Sequence, residues 1–316
     1  MIFHICKFKR EDKDGIHLGG VEKFAMYLNR AIPELTKVSW PDYPQWTNKN
    51  ALADFEKAQI LNDWLLETGQ LGKDSTVIVD GYWGRGLEGK VGRLISVCHG
   101  SYAGRLIQYM IYPWGENISN KEISEQEAIW RHEEVEVVSV SHESAREVAM
   151  IADKVSTVIR HGVDLDVYKP LGYERNCYMH AATSARKGID VIDMMAKGFG
   201  TQVLAMGVKS GNMESEAKRL NQAIVLVAPS RHEGNTYLLN EAMACGTPVL
   251  TYATGFANEL ALKCGVVLDD LSPSAFKIAL EKENWSAFDP RSWAEHFCDY
   301  ETFAESWKEY IDEGSG

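Results

Sequence analysis

The sequence predicts an α/β chain folded as two domains that face each other across a cleft. Short apolar runs suited to buried strands alternate with segments of helical period in both halves. A stretch without periodicity around Pro170 and Gly172 separates the two series, and 316 residues are comfortable for two domains of ordinary size. Polar and glycine-bearing loops gather where strands hand over to helices, the edge at which parallel sheets bind ligands. The domains expected are residues 1–165 and 172–290.

In the first half, residues 1–8 suit a strand. Residues 21–32 suit a helix, because Val21, Phe24, Ala25, Leu28 and Ile32 recur at helical spacing before Pro33 ends the run. The charged loop between them closes on Gly19 and Gly20, where missing side chains let a phosphate approach backbone N–H groups; an ordinary tight turn has the same signature. A short strand at 36–40, an aromatic, proline-bearing loop at 41–50 and a helix at 52–67 follow. The run STVIVD (75–80) is a strand ending in the loop GYWGRGLEG, and 92–98 is another, handing over at His99-Gly100. Residues 101–119 are aromatic and irregular. A helix at 122–132, a strand at 135–140, a helix starting near Ser141 and a short strand at 156–160 complete this half.

The second half restarts the pattern with a strand at 176–181, the loop ATSARKG, a helix at 189–196, a strand at 202–206 and a helix at 214–220. The stretch 223–262 is the most informative. An apolar run (223–228) is one buried strand, a polar loop follows, and a helix covers 236–245 until Gly246, Thr247 and Pro248 stop it. A strand at 249–253, a glycine loop and a second helix make a β-α-β-α unit. Glu233 lies in the polar loop and Glu241 in the helix, whose side chains tilt toward its N-terminus and so toward the loop. Gly234, Asn235 and Thr236 sit between them at the helix start, where unpaired N–H groups and the dipole attract an anion. Two carboxylates beside an anion site suit a ligand with a phosphate and several hydroxyls. A last short strand (266–268) and amphipathic helices over 273–283 and 290–311 end the chain.

With 45% hydrophobic and 25% charged residues, the composition is that of a soluble globular protein, and no apolar run approaches the roughly 20 residues needed to span a bilayer. The N-terminal apolar stretch is too short for a signal peptide, so the cytoplasm is the expected location. A net charge of −12 argues against nucleic acid as a partner. The six cysteines are scattered, without metal-ligand spacing, and read as reduced, mostly buried thiols.

Glu233 and Glu241 with seven residues between them, followed by AMACGTPVL, resemble the Glu-x7-Glu motif of the retaining, family 4-like glycosyltransferases of GT-B fold (glycosyl transferases group 1). Gly19-Gly20-Val21-Glu22, the HGVD of His161–Asp164, Lys187-Gly188 and the GFANE of 255–259 are similar to further motifs of that family. The resemblance implies two Rossmann-like domains, with the C-terminal one holding a nucleotide-diphosphate sugar and the last helix, 300–316, crossing back onto the first domain. It implies that Glu241 binds the ribose hydroxyls, Glu233 the transferred sugar, and Lys187 with Arg186 the diphosphate. Backbone N–H groups near Gly234, Asn235 and Thr236, and of Gly19 and Gly20, complete that anion site, and His99 approaches the donor sugar. The chemistry implied is transfer to an acceptor hydroxyl with retention, the leaving phosphate being stabilised by positive charge and itself taking the acceptor's proton. No cofactor or metal is expected; the partners are a UDP- or GDP-sugar and a carbohydrate, lipid or other hydroxyl acceptor, a lipid acceptor bringing the enzyme transiently to a membrane surface.

The chain departs from the family pattern at Ala181 and Ala182, which stand where an arginine usually precedes the lysine, so Arg186 or Arg231 is the expected substitute. Phe256 replaces the second glycine of the glycine loop, and the acceptor-side domain is short. Tyr82-Trp83 and the aromatics of 109–114 either stack on sugar faces or pack in the core. Asp164-Leu165-Asp166 looks like a metal-binding pair but sits in the domain joint, where it reads as coincidence. The rival reading is a catalytically silent nucleotide-sugar-binding protein or partner subunit of the same fold. No GxGxxG opens either half, which argues against a plain dinucleotide dehydrogenase.

Overall fold

The computed structural model describes residues 1–7, 19–44, 52–113, 119–206 and 213–314. The charged loop over 8–18, most of the aromatic loop at 41–50, Trp114 and the tail at 315–316 lie outside the described residues. The first half runs β1 (Ile2–Cys6), α1 (Gly20–Ala31), β2 (Thr36–Ser39), α2 (Asp54–Glu67), β3 (Thr76–Asp80), β4 (Arg93–Cys98), α3 (Tyr102–Ile111), α4 (Asn120–Arg131), β5 (Val135–Ser139), α5 (His142–Ala152) and β6 (Thr157–Val158). The second runs β7 (Cys177–His180), α6 (Ile189–Phe199), β8 (Leu204–Ala205), α7 (Met213–Gln222), β9 (Ala223–Ala228), α8 (Tyr237–Ala244), β10 (Val249–Tyr252), β11 (Gly265–Leu268), α9 (Pro273–Lys282), α10 (Pro290–Phe297) and α11 (Tyr300–Glu313).

These strands form two wholly parallel sheets, ordered β2-β1-β3-β4-β5-β6 and β11-β10-β9-β7-β8. Val77, Ile78 and Val79 in β3 and Val225, Leu226 and Val227 in β9 have no exposed surface. Helices cover both faces of such a sheet, so its inner strands read as unbroken apolar runs rather than alternating ones. In each sheet the strand order reverses beside the half's first strand, between β1 and β3 and between β7 and β9. Connections leave in opposite directions there and open a crevice at the carboxyl ends of the strands. Gly19 and Gly20 lie after β1, Arg186 and Lys187 after β7, and residues 231–236 after β9, so both crevices carry predicted site residues.

The halves are joined by a shared apolar cluster that includes Phe24, Tyr27 and Ile78 of the first and Leu226, Tyr237 and Met243 of the second. Tyr237 stacks on Tyr27 and on His161, with ring centroids 5.8 and 4.3 Å apart. Helix α11 lies on α1, its Phe303 and Trp307 edge-on to Phe24 at 6.1 and 5.8 Å. Its approach is fixed by the Val163 N–H, which donates to the Cys298 carbonyl at 2.7 Å, and by the Tyr300 N–H, which returns to the Val163 carbonyl at 3.1 Å. Its far end is held by Arg93, which pairs with Glu136 and donates to the carbonyls of Tyr310 and Ile311, each at 2.9 Å.

Two expected elements differ. The stretch 101–119 contains a helix, α3, started by the Ser101 hydroxyl accepting from the Gly104 N–H at 2.8 Å. Its Ile107, Met110 and Ile111 are exposed, so no apolar stripe faced a core to announce it. The second helix of the 223–262 unit is replaced by two tight turns, Gly255–Glu259 and Leu262–Cys264. Tertiary bonds hold that segment instead: the Phe256 N–H donates to the Gly234 carbonyl at 2.7 Å, and Glu259 pairs with Arg160 of the first half at 2.7 Å. None of the six cysteines forms a disulfide, and five of them are buried. Among the described residues no helix is long and apolar enough to cross a membrane.

Trp307 is fully buried where α11 meets α1. Truncating it in the Trp307→Ala variant should cost about 3–5 kcal/mol of unfolding free energy by chemical denaturation. A loss under about 1 kcal/mol, the range of a surface substitution, would mean that α11 does not fasten the halves.

Candidate active site

Two cavities line the crevice between the sheets. The larger, about 400 Å³, opens on the first half and is bounded by Val21, Asp80, Tyr82, Trp83, His99 and Tyr102. The smaller, about 240 Å³, lies against β9 and α8 and is bounded by Lys23, Ala181, Ala182, Ser230, Thr236 and Glu241. Gly20, Lys187, Glu233 and Asn235 line both. Loops from both switch points therefore build the wall between the cavities.

The Glu233 carboxylate dominates that wall. Its side chain is only 14% exposed and sits 2.5 Å from Lys187 Nζ and 3.4 Å from Arg186 Nη1. Burial alone would push the carboxyl up, but the Lys187 and Arg186 charges more than offset it and hold its pKa at about 2. Glu233 is thus ionised at neutral pH and has no proton to donate as an acid. Lys187 is aimed by Gly188, whose φ of 79° favours glycine and which starts α6. A side chain at Gly188 would also collide with the Pro229 carbonyl.

Arg186 donates to the His232 carbonyl at 3.0 Å while its head reaches Glu233 and lines the larger cavity. Arg231, the other expected substitute, is engaged away from both cavities. Its guanidinium forms a two-pronged pair with Asp190 at 2.8 and 2.6 Å and also donates to the Ala185 carbonyl, and it borders neither cavity. The planar fork matches the Asp190 carboxylate at the start of α6, so Arg231 braces the lysine loop instead of facing the crevice.

Gly19 precedes α1 and Thr236 precedes α8, and neither helix start carries a side-chain cap. The first-turn N–H groups are left for solvent or a ligand. Gly20 borders both cavities, whereas Gly19 borders neither. Gly234 has a structural reason to be glycine, because a Cβ there would strike the His99 carbonyl across the crevice. The Asn235 side chain is engaged in joining the halves: its amide donates to the Val140 carbonyl at 3.1 Å and its oxygen accepts from Asn240 at 3.0 Å. Only its backbone N–H remains for the anion role expected of it.

Glu241 has no exposed surface. Its Oε1 accepts from Lys23 Nζ at 2.5 Å, and the same ammonium donates to Glu216 at 2.9 Å. Tyr168 donates to Glu216 at 2.7 Å, while Glu241 Oε2 has no partner. Burial raises the Glu241 pKa and the neighbouring Glu216 charge adds to this, against the opposing pull of Lys23.

His99 borders the larger cavity, and its Nε2 lies 3.1 Å from Asp80 Oδ1, which His4 also approaches at 3.2 Å. Burial opposes the Asp80 charge, yet His4 and then His99 hold this carboxyl well below the usual range. His161 is neutral, its pKa driven down by burial and next by His99. His232 meets Glu147 of α5 at 3.0 Å. Asp164, in the metal-like pair, is paired with Arg30 at 2.5 Å and bonds the Asp166 N–H at 3.0 Å.

Asp80, His232, Glu216 and Lys23 escaped the sequence reading, and His161 entered it only as the first residue of the HGVD motif. Asp80 stood at the end of a strand, a position that invites a ligand role. Lys23 gave no such signal, because a lysine beside an apolar helical stripe reads as its solvated border.

Because the Glu233 carboxyl is depressed from 4.5 to about 2, its ionised form stabilises the folded state fully above pH 4.5 and loses that effect as pH falls toward 2. The Glu233→Gln variant should therefore be less stable than the parent at pH 7, by on the order of 2–3 kcal/mol, with the gap closing between pH 4.5 and 2. Urea midpoints across that range check it; a gap that does not change with pH would contradict the assignment.

Residues 183–282 match the family Glycosyl transferases group 1. No curated protein matches the chain. Among solved structures it is similar to sucrose-phosphate synthase from Thermosynechococcus elongatus, with a TM-score of 0.75 and 14% identity over 99% of this chain and 98% of that one. It is also similar to WaaG, a glycosyltransferase involved in lipopolysaccharide biosynthesis, with a TM-score of 0.71 and 15% identity over 98% and 99% of the two chains. HepE of Anabaena, in complex with UDP and glucose, gives 0.67 and 13% over 98% and 99%. The chain has the two-sheet GT-B fold, and residues 183–282 within it match the glycosyl transferases group 1 family.

Proposed function

We propose that the protein is a retaining glycosyltransferase that moves a hexosyl group from a nucleotide-diphosphate sugar, UDP- or GDP-linked, to the hydroxyl of a carbohydrate, lipid or other acceptor. The observation that carries this reading is the wall shared by the two cavities. Gly20, Lys187 and Asn235 put two helix starts and a cation at the one place where a diphosphate would span them. The smaller cavity, with Glu241 at its end, would take the nucleoside. The larger would take the transferred sugar beside Glu233 and His99, with the acceptor toward Tyr82 and Tyr102. The similar HepE structures hold UDP with glucose, or UDP-glucose.

In this reading the bond between the sugar C1 and the β-phosphate oxygen breaks as Lys187, Arg186 and the N–H groups of the helix starts take up the developing charge. The acceptor oxygen attacks C1 from the same face, and its proton passes to the departing phosphate oxygen. A positive site built from side chains and helix starts supplies the role a divalent metal fills elsewhere. Glu233, already ionised and held by Lys187, would orient sugar hydroxyls. It is neither acid nor nucleophile, unlike the paired carboxylates of glycoside hydrolases. Asp80 would fix the ring of His99 beside the sugar.

Ala181 and Ala182, bordering the smaller cavity where the family places an arginine, favour one rival: a silent nucleotide-sugar binder. Incubation with UDP-, GDP- and ADP-sugars and an acceptor panel, followed by measurement of free nucleoside diphosphate, separates the two. Release with one base, lost in Lys187→Ala, is the expected result; binding without release in any combination supports the rival. The Glu241→Ala variant should weaken binding of the preferred nucleoside diphosphate by about 1–3 kcal/mol in calorimetry, and unchanged affinity would remove the ribose assignment.

A further inference from the structure

The carboxylate at the end of the smaller cavity is governed by a residue of the opposite half. Lys23 leaves α1 and enters the second half, where it lies between Glu216 of α7 and Glu241 of α8. Lys23, Glu216 and Glu241 are 5%, 7% and 0% exposed, and Tyr168, which caps Glu216, is 0% exposed. Burying two carboxylates on one cation is costly, and a bridge meant only to join the halves would need one of them. The cluster also keeps unused capacity. Glu241 Oε2 is buried without a partner, and Lys23 uses two of its three ammonium N–H groups on the carboxylates. Both residues border the smaller cavity. A free acceptor next to a free donor is the complement of a vicinal diol, in which each hydroxyl both gives and accepts a hydrogen bond.

We propose that Lys23 determines specificity for ribose: it holds Glu241 by Oε1 so that Oε2 meets one ribose hydroxyl, and its remaining N–H meets the other. This rests on the reading of the smaller cavity as the nucleoside site. It goes further in making recognition of the diol a joint act of both halves, so that a nucleotide bound there fastens α1 to α7 and α8. Glu216 holds the other side of the ammonium at 2.9 Å and balances its charge.

The test compares UDP, GDP and ADP with their 2′,3′-dideoxy forms by calorimetry, using the parent, Glu241→Gln, Lys23→Met and the charge-balanced Lys23→Met/Glu216→Gln. The parent should prefer the ribose form of its base by about tenfold or more. In both lysine variants that ratio should fall to about threefold or less, with affinity for the dideoxy form little changed, because only the diol contacts are lost. A merely structural strut would weaken both forms alike and keep the ratio; a retained ratio in the folded double variant overturns the proposal. Loss of the ratio in Glu241→Gln but not in the lysine variants would sink this inference and leave the nucleoside site intact. If the parent binds none of the diphosphates, or shows no preference for ribose, the reading of the cavity falls and this inference with it.

Discussion

Placing the Glu233 carboxylate in a mostly buried wall is costly unless cations accompany it, and the sequence supplies two, Arg186 and Lys187, from the loop after β7. That requirement organises the crevice. It draws the β7 and β9 loops together, and the Arg231 N–H bonding the Arg186 carbonyl at 2.9 Å stitches them. It also concentrates positive charge at the carboxyl edge of a parallel sheet, beside two uncapped helix starts. A wall built this way is complementary in charge to the diphosphate proposed above. Arg231, two positions before Glu233 in sequence, is claimed by Asp190 and contributes rigidity instead.

The wall exists only while the halves are held in register. A shared apolar cluster around Tyr237, the return of α11 onto α1, and polar bridges at Glu259, His232 and Asn235 keep them there. These bridges differ in kind. The aromatic stacking of Tyr237 and the Trp307 contact bury area and fix the fold, whereas the Lys23–Glu241 ion pair and the His232–Glu147 hydrogen bond are polar contacts beside the cavities. On the proposed function, opening the crevice to admit a donor would break the latter group.

The parts legible in the sequence were those with a local signature. Buried strands showed as apolar runs, helix stops showed as glycine and proline, and the spacing of Glu233 and Glu241 carried a family pattern that the match over 183–282 supports. What escaped depended on partners distant along the chain. Helix α3 exposes its apolar residues, so its period had no core to point at. The turns at 255–264 are shaped by Arg160 and Gly234, far from them in sequence. Lys23 pairs with residues 193 and 218 positions away, a relation that no window of sequence contains. Arg186 and Arg231 were indistinguishable on the page because only packing decides which one meets Asp190.

The proposed function requires diphosphate binding by Lys187 and the two helix starts at the wall shared by both cavities. It is tested most directly by the affinity gap between the nucleoside diphosphate and monophosphate of the preferred base, measured in the parent and in Lys187→Ala. The parent should bind the diphosphate more tightly, and most of this gap should disappear in the variant, because the missing phosphate and the missing lysine remove the same interaction. Equal gaps in the two proteins would contradict it.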